Sequence, residues 1–308
     1  MSRRRSDLGA MLAIMAGAGV WGVIWYPLRM LAGLGVSGAL AAGWTGLAAC
    51  VFMACFAGRE LRWIPRHGLI LALILAAGLT NIGFTWGVIH GEVMRVCLLF
   101  YLSPVWTALF AHLMLRERLT PAGASLGALS LCGAGLMLWS PQSGLPFPAS
   151  AADWAGLVAG MGYAMNNVLT LKISQTWPTV TPKVRTFLVF LGSAGFGFAV
   201  SRFDHVLSVP AAFHLGPVLG LVLAMGVSLA LGNLLVQHGL VRVAANRAAL
   251  VMLFEIVVTV LSSWLLAGEV PGPREAIGGA CIVLSAVLAS CLHRENPPDR
   301  PSAKAAMV

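Results

Sequence analysis

The chain has 308 residues, 58% of them apolar and only 10% charged, where soluble domains carry about 25% charged residues. This balance excludes an ordinary soluble enzyme and places most of the chain in lipid. The formal net charge of +9 does not point to nucleic acid, because the basic residues fall in short groups between apolar runs, with no continuous basic face interleaved with aromatics.

In chain order, ten apolar runs reach spanning length, at about residues 8–28, 38–57, 67–89, 95–115, 121–139, 152–172, 185–202, 214–238, 246–267 and 273–292. A backbone in lipid must satisfy its hydrogen bonds internally, so these runs predict helices and an all-α integral membrane bundle of ten transmembrane helices. The opening MSRRRSDLGAMLAIMAGAGVWGVIW has the basic flank of a signal peptide, yet its apolar part runs too long without a convincing cleavage site and reads as the first span. Residues 140–153, SPQSGLPFPASAAD, form a Pro- and Ser-rich linker, and the polar residues 293–308 read as a disordered cytoplasmic tail. The six cysteines form no CxxC pair and lie in or beside apolar runs, which implies packing rather than disulfides or zinc.

Lys and Arg divide 16 to 4 between the two sides that these spans define. The rich side includes the N-terminus, the segments 59–66, 116–118, 172–185 and 242–247, and the tail; the poor side has Arg29, Arg95, Arg202 and Arg274. Both termini are therefore expected in the cytoplasm. Sliding the chain by 152 residues lays Gly68–Leu136 over Gly220–Leu288 without a gap, matching Asn81 with Asn233, Gly87 with Gly239, Arg95 with Arg247, Thr107 with Thr259, Glu117 with Glu269 and Pro121 with Pro273. This is an internal repeat. Two five-helix repeats, 1–139 and 154–292, are expected on either side of an outer linker, 140–153, and an odd number of spans inverts the second relative to the first.

An aromatic-Gly opening in the first span (Trp21, Gly22), the run LSPVWTALFAHLMLRERLTP (Leu102 to Pro121) and its counterpart FEIVVTVLSSWLLAGEVPGP (Phe254 to Pro273) carry a family resemblance. The chain resembles the EamA-type branch of the drug/metabolite transporter superfamily over nearly its full length, and within it looks most like the YddG-type exporters of aromatic amino acids. It departs from the family at one place: the common Glu-Pro of the ninth span is Glu255-Ile256 here, and the matching proline survives only as Pro104. A proline kink is expected in the fourth span and not in the ninth.

Polar residues are costly in lipid and should turn inward together. Tyr163, Asn166, Asn167 and Thr170 fall at i, i+3, i+4 and i+7; Asn81 and Thr85 are four apart, with Asn233 and Gln237 at the matching sites of the second half; Glu255, Thr259 and Ser262 are echoed by Ser103 and Thr107. These stripes line a midplane cavity or make interhelical hydrogen bonds. Trp21 and Trp25 share a helical face, and with Trp44, Trp86, Tyr101 and Tyr163 they either stack on a flat substrate group or anchor the chain at the membrane interface. Glu255 reads as a proton-coupling group, a partner for a substrate ammonium, or a structural and gating acceptor. Arg95 and Arg247 are expected to anchor helix ends. Gly156xxxGly160 and Gly123xxxGly127 are expected to let helices approach closely, while Gly83, Gly87 and Gly239 serve as bending points or simple close packing.

A GxGxxG match at Gly33, Gly35 and Gly38 follows no strand, and a GxSxG match at Gly123–Gly127 lies inside a span without a His and acid partner. Neither is a catalytic site, and no cofactor is expected. The resemblance implies a secondary transporter in the bacterial inner membrane, exporting amino acids, aromatic ones in particular, by alternating access and acting as a monomer on a small-molecule substrate. A multidrug or other metabolite exporter is the alternative within that class, and a membrane-embedded enzyme the alternative outside it.

Overall fold

The computed structural model describes residues 2–115, 121–139, 148–202, 215–240 and 254–292, with side chains from residue 9 onward except at 137, 237–240, 286 and 289–292. Every regular element among them is helical. Six helical stretches, 9–33, 38–63, 68–90, 93–115, 182–201 and 215–236, are long and apolar enough to cross a membrane. The helices 121–136 and 254–267 are shorter and also apolar. Leucines such as Leu71, Leu113, Leu219 and Leu265 stand on the outside at 52–69% exposure, a wasteful arrangement in water and the expected one against hydrocarbon chains. The expected linker up to residue 147, the tail, Glu117, Arg247, the first part of the ninth span and the side chains of Gln237, His238 and Cys291 lie outside the described residues.

Two spans are broken by proline. Helices α1 (Ser2–Val23) and α2 (Trp25–Gly33) meet at Ile24, where Pro27 offers no N–H to the Val23 carbonyl and its ring crowds that oxygen. The first span therefore runs to Gly33, further than its hydropathy suggested. Pro104 acts in the same way on Phe100: α5 (Val93–Phe100) and α6 (Ser103–Leu115) are separated by the turn at Tyr101 and Leu102, so the expected kink is a full interruption.

The remaining helices are α3 (Gly38–Ala57), α4 (Gly68–His90), α7 (Pro121–Leu138), α8 (Ala151–Thr176), α9 (Pro182–Ser201), α10 (Leu215–Leu240), α11 (Phe254–Ala267) and α12 (Pro273–Leu292). Their starts follow local chemistry. Ser150 and Asp153 close a capping box on α8, each satisfying backbone N–H groups near the other. Thr181 caps α9 ahead of Pro182, and His67 caps α4 through its ring.

Helix α4 packs on α8 and α9, α10 packs on α1 and α3, α6 packs on α8, and α11 packs on α1. Exchanging each helix for the corresponding helix of the other half turns the α4–α8 pair into α10–α1, α4–α9 into α10–α3, and α6–α8 into α11–α1. Close approach rests on glycine at the α5–α8 contact, where a Cβ on Gly160 would stand 2.6 Å from the Phe100 carbonyl oxygen and one on Gly156 would stand 2.9 Å from that of Val96. The expectation for the Gly123xxxGly127 pair is not met at Gly127, whose added Cβ would meet Val105 at an ordinary 3.9 Å. The tight position on α7 is Gly133, packed on Gly278 of α12.

Candidate functional site

Between the halves lies a cavity of about 320 Å³, walled by α1, α4, α5, α6, α8, α9, α10, α11 and α12. Its size falls at the small end of ligand pockets, which run from about 300 to 1,000 Å³. One part of the wall is aromatic. The Phe100 ring lies 5.1 Å from Tyr163, 5.6 Å from Phe84 and 5.8 Å from Tyr101, in tilted or edge-on arrangements, and Trp21 joins the same wall. Another part is polar, with Asn81, Asn166, Asn167, Thr170, Thr186, Asn233, Arg185 and Glu255.

The wall repeats between halves. Asn81 and Asn233, Phe84 and Val236, Ser103 and Glu255, and Pro104 and Ile256 are pairs 152 residues apart, and all eight line the cavity. The Tyr101 hydroxyl donates to Glu255 Oε1 at 3.0 Å, so the acid of α11 is held by the turn that Pro104 creates. Thr186 Oγ1 donates to Asn233 Oδ1 at 3.1 Å, and the Asn81 amide nitrogen donates back to the Ala77 carbonyl at 2.9 Å. Those bonds aim the amides without consuming them, since each asparagine retains further donor or acceptor capacity.

Of the residues singled out by sequence, Trp21, Asn81, Tyr101, Tyr163, Asn166, Asn167, Asn233, Pro104 and Glu255 come together on this wall. Four others do not. Trp25 is 1% exposed, donates from Nε1 to Ser262 Oγ at 2.9 Å and lies under the Arg29 guanidinium, 5.2 Å from the ring centre. It shares a face with Trp21 only in an unbroken helix, and the break at Ile24 separates them. Trp44 is 48% exposed on the outer surface of α3, edge-on to Phe198. Trp86 stacks on His90 at 4.3 Å. Thr85 is buried in packing while its neighbour Phe84 occupies the wall. Gly83 and Gly87 are contact points: a Cβ would stand 3.0 Å from the Ala155 carbonyl oxygen and 2.9 Å from Val96, respectively. Gly239 lies on α10 near its end, and Gln237 on the same helix has no described side chain.

Sequence reading did not find Phe84, Phe100, Thr186 or Arg185. Arg185 was counted among the charges that orient the chain, yet it stands at the fourth position of α9, past Pro182, with its side chain on the cavity wall. Its place inside the helix start was the available signal.

At the opposite end of the bundle from Lys183 and Glu60, the ends of α2, α4, α5, α8, α11 and α12 converge on a charged cluster. Glu269 accepts from Arg29 at 3.0 Å and from the Val93 and Met94 amides at 3.1 and 3.0 Å, capping α5. Arg29 also donates to the carbonyls of Val88 and Gly91. Arg95 grips Asp153 with two bonds, 2.8 and 3.2 Å, and reaches Glu275 at 3.4 Å. The anchoring expected of Arg95 is thus visible in its partners. Glu92, beside them, has its carboxyl pushed above the ordinary value by partial burial first and then by the charges of Glu275 and Glu269.

A family model described as the EamA-like transporter family matches residues 8–139 and matches again over 150–291. The uncharacterized transporter YojE of Bacillus subtilis is 26% identical over 230 residues, covering 73% of this chain and 72% of that protein. The uncharacterized transporter PA0485 of Pseudomonas aeruginosa is 26% identical over 144 residues, 43% of this chain and 45% of that one. A solved crystal structure, described only as that of a protein, superimposes with a TM-score of 0.56 at 18% identity, covering 93% of this chain and 98% of its own.

Proposed function

The chain belongs to the EamA-like transporter family, a multi-pass membrane transporter, and from that premise we propose that it is a secondary exporter of amino acids, aromatic ones in particular. In this reading it stands as a monomer in the bacterial inner membrane with both termini in the cytoplasm, built from two inverted repeats of five spans. The cavity carries the proposal: aromatic rings and primary amides face one small space from both halves, which suits a flat apolar group joined to a compact polar one. The paired wall positions and the double family match support the two-repeat reading. Substrate enters from one side, the halves rock about it, and it leaves from the other. The charged cluster, on the outer side in this topology, closes that exit while its ion pairs hold.

Counterflow of radiolabelled tryptophan, phenylalanine and threonine in liposomes tests this. Flux of the two aromatic amino acids well above that of threonine is the expected result. Movement of a sugar, nucleotide or drug with no movement of any amino acid would overturn it in favour of a metabolite or drug exporter.

A further inference from the structure

The cavity holds two groups whose natural partners are missing. Arg185 donates from Nη1 to the Val180 carbonyl at 2.8 Å, which fixes one edge of the guanidinium. Its Nε is buried without an acceptor, and no carboxylate among the described residues pairs with it, the nearby ion pair on α9 belonging to Lys183 and Glu60. On α8, lining the same cavity, the Asn166 carbonyl oxygen Oδ1 is also buried without a donor. Buried donors and acceptors in folded proteins are nearly always matched, and leaving one unmatched is costly. An unpaired guanidinium costs more than a neutral group.

Resting on the reading of this cavity as the transport site, we infer that Arg185 is the carboxylate subsite of the substrate, with Asn166 on the same wall taking an N–H of the same molecule. A guanidinium is the side chain whose planar fork matches a carboxylate, and the face of Arg185 not held by Val180 is the one left unpartnered. The charge balance selects a zwitterion with a single carboxylate. Among the described residues the wall carries one cation, Arg185, and one acid, Glu255, so a zwitterion with one carboxylate and one ammonium leaves neither charge alone, whereas a dianionic phosphate would face a single positive group. Glu255, already held by Tyr101, faces the ammonium.

Thermal-shift binding and competition for flux, run on the intact protein with matched probes, test the assignment. L-phenylalanine is compared with phenethylamine and L-leucine with isopentylamine, pairs that differ by the carboxylate alone. The native protein is expected to prefer the acid-bearing member by about tenfold or more. Arg185→Gln should remove that preference by weakening the amino acids and leaving the amines unchanged, and Arg185→Lys should restore part of it. The preference of the native protein needs no variant to fold. Equal binding of amino acid and amine, or an unchanged ratio in Arg185→Gln, overturns the inference. If only the leucine pair responds and shows the preference, the aromatic reading falls and the Arg185 subsite stands; if no amino acid binds, both fall.

Discussion

The charged cluster and the cavity use the same residue types to opposite ends. In the cluster, Asp153 holds two Arg95 bonds and two backbone amides, and Glu269 holds Arg29 and the first amides of α5. In the cavity, among the described residues, Glu255 has one phenol and Arg185 one carbonyl. A charge saturated with internal partners fixes helix ends, and one left short of partners is available to something that arrives. Burial alone does not separate the two regions; partner count does.

Substitutions should separate them in stability and flux. The largest effect is expected for Asp153→Ala, which leaves Arg95 only its longer contact to Glu275 and removes the carboxylate half of the α8 capping box: a loss of about 2–4 kcal/mol, read from unfolding in detergent. Glu269→Gln keeps an acceptor for the α5 amides but discards the charge facing Arg29, and with partly exposed partners should cost about 1–2 kcal/mol. Tyr101→Phe deletes one bond to Glu255 and should cost only about 0.6 kcal/mol while lowering flux about threefold or more; a large stability loss with unchanged flux would place Tyr101 with the cluster. The smallest effect belongs to Glu92. Its folded-state carboxyl titrates above the ordinary 4.5, so its contribution to stability is greatest below that value and is lost as pH rises through the raised one. Glu92→Gln should flatten that decline on the side above 4.5, measured as melting temperature against pH.

The membrane helices were legible because hydropathy runs are long and lipid permits little else. Asn81, Asn233, Tyr163 and Glu255 were legible because polar residues in such runs are rare enough for spacing and internal repetition to mark them. The charged cluster was not, since Arg29 and Glu269 are 240 positions apart and meet only when six helix ends converge. Trp25 misled because periodicity assumes a continuous helix, and Pro27 ends that assumption one turn too early. Arg185 misled for another reason: a basic residue at a span boundary satisfies the topology rule so well that its aim into the bundle leaves no trace in the charge count.

The cavity wall is also unequal at matching positions. Asn81 and Asn233 are the same residue at matching places, but Ser103 faces the space from one half and Glu255 from the other. A protein assembled from two copies of the first half would present two serines there and no acid, and one assembled from two copies of the second would bring two carboxylates into one small enclosure. Neither segment can stand in for the other at this position, so the matched places share a location on the wall while their chemistry differs.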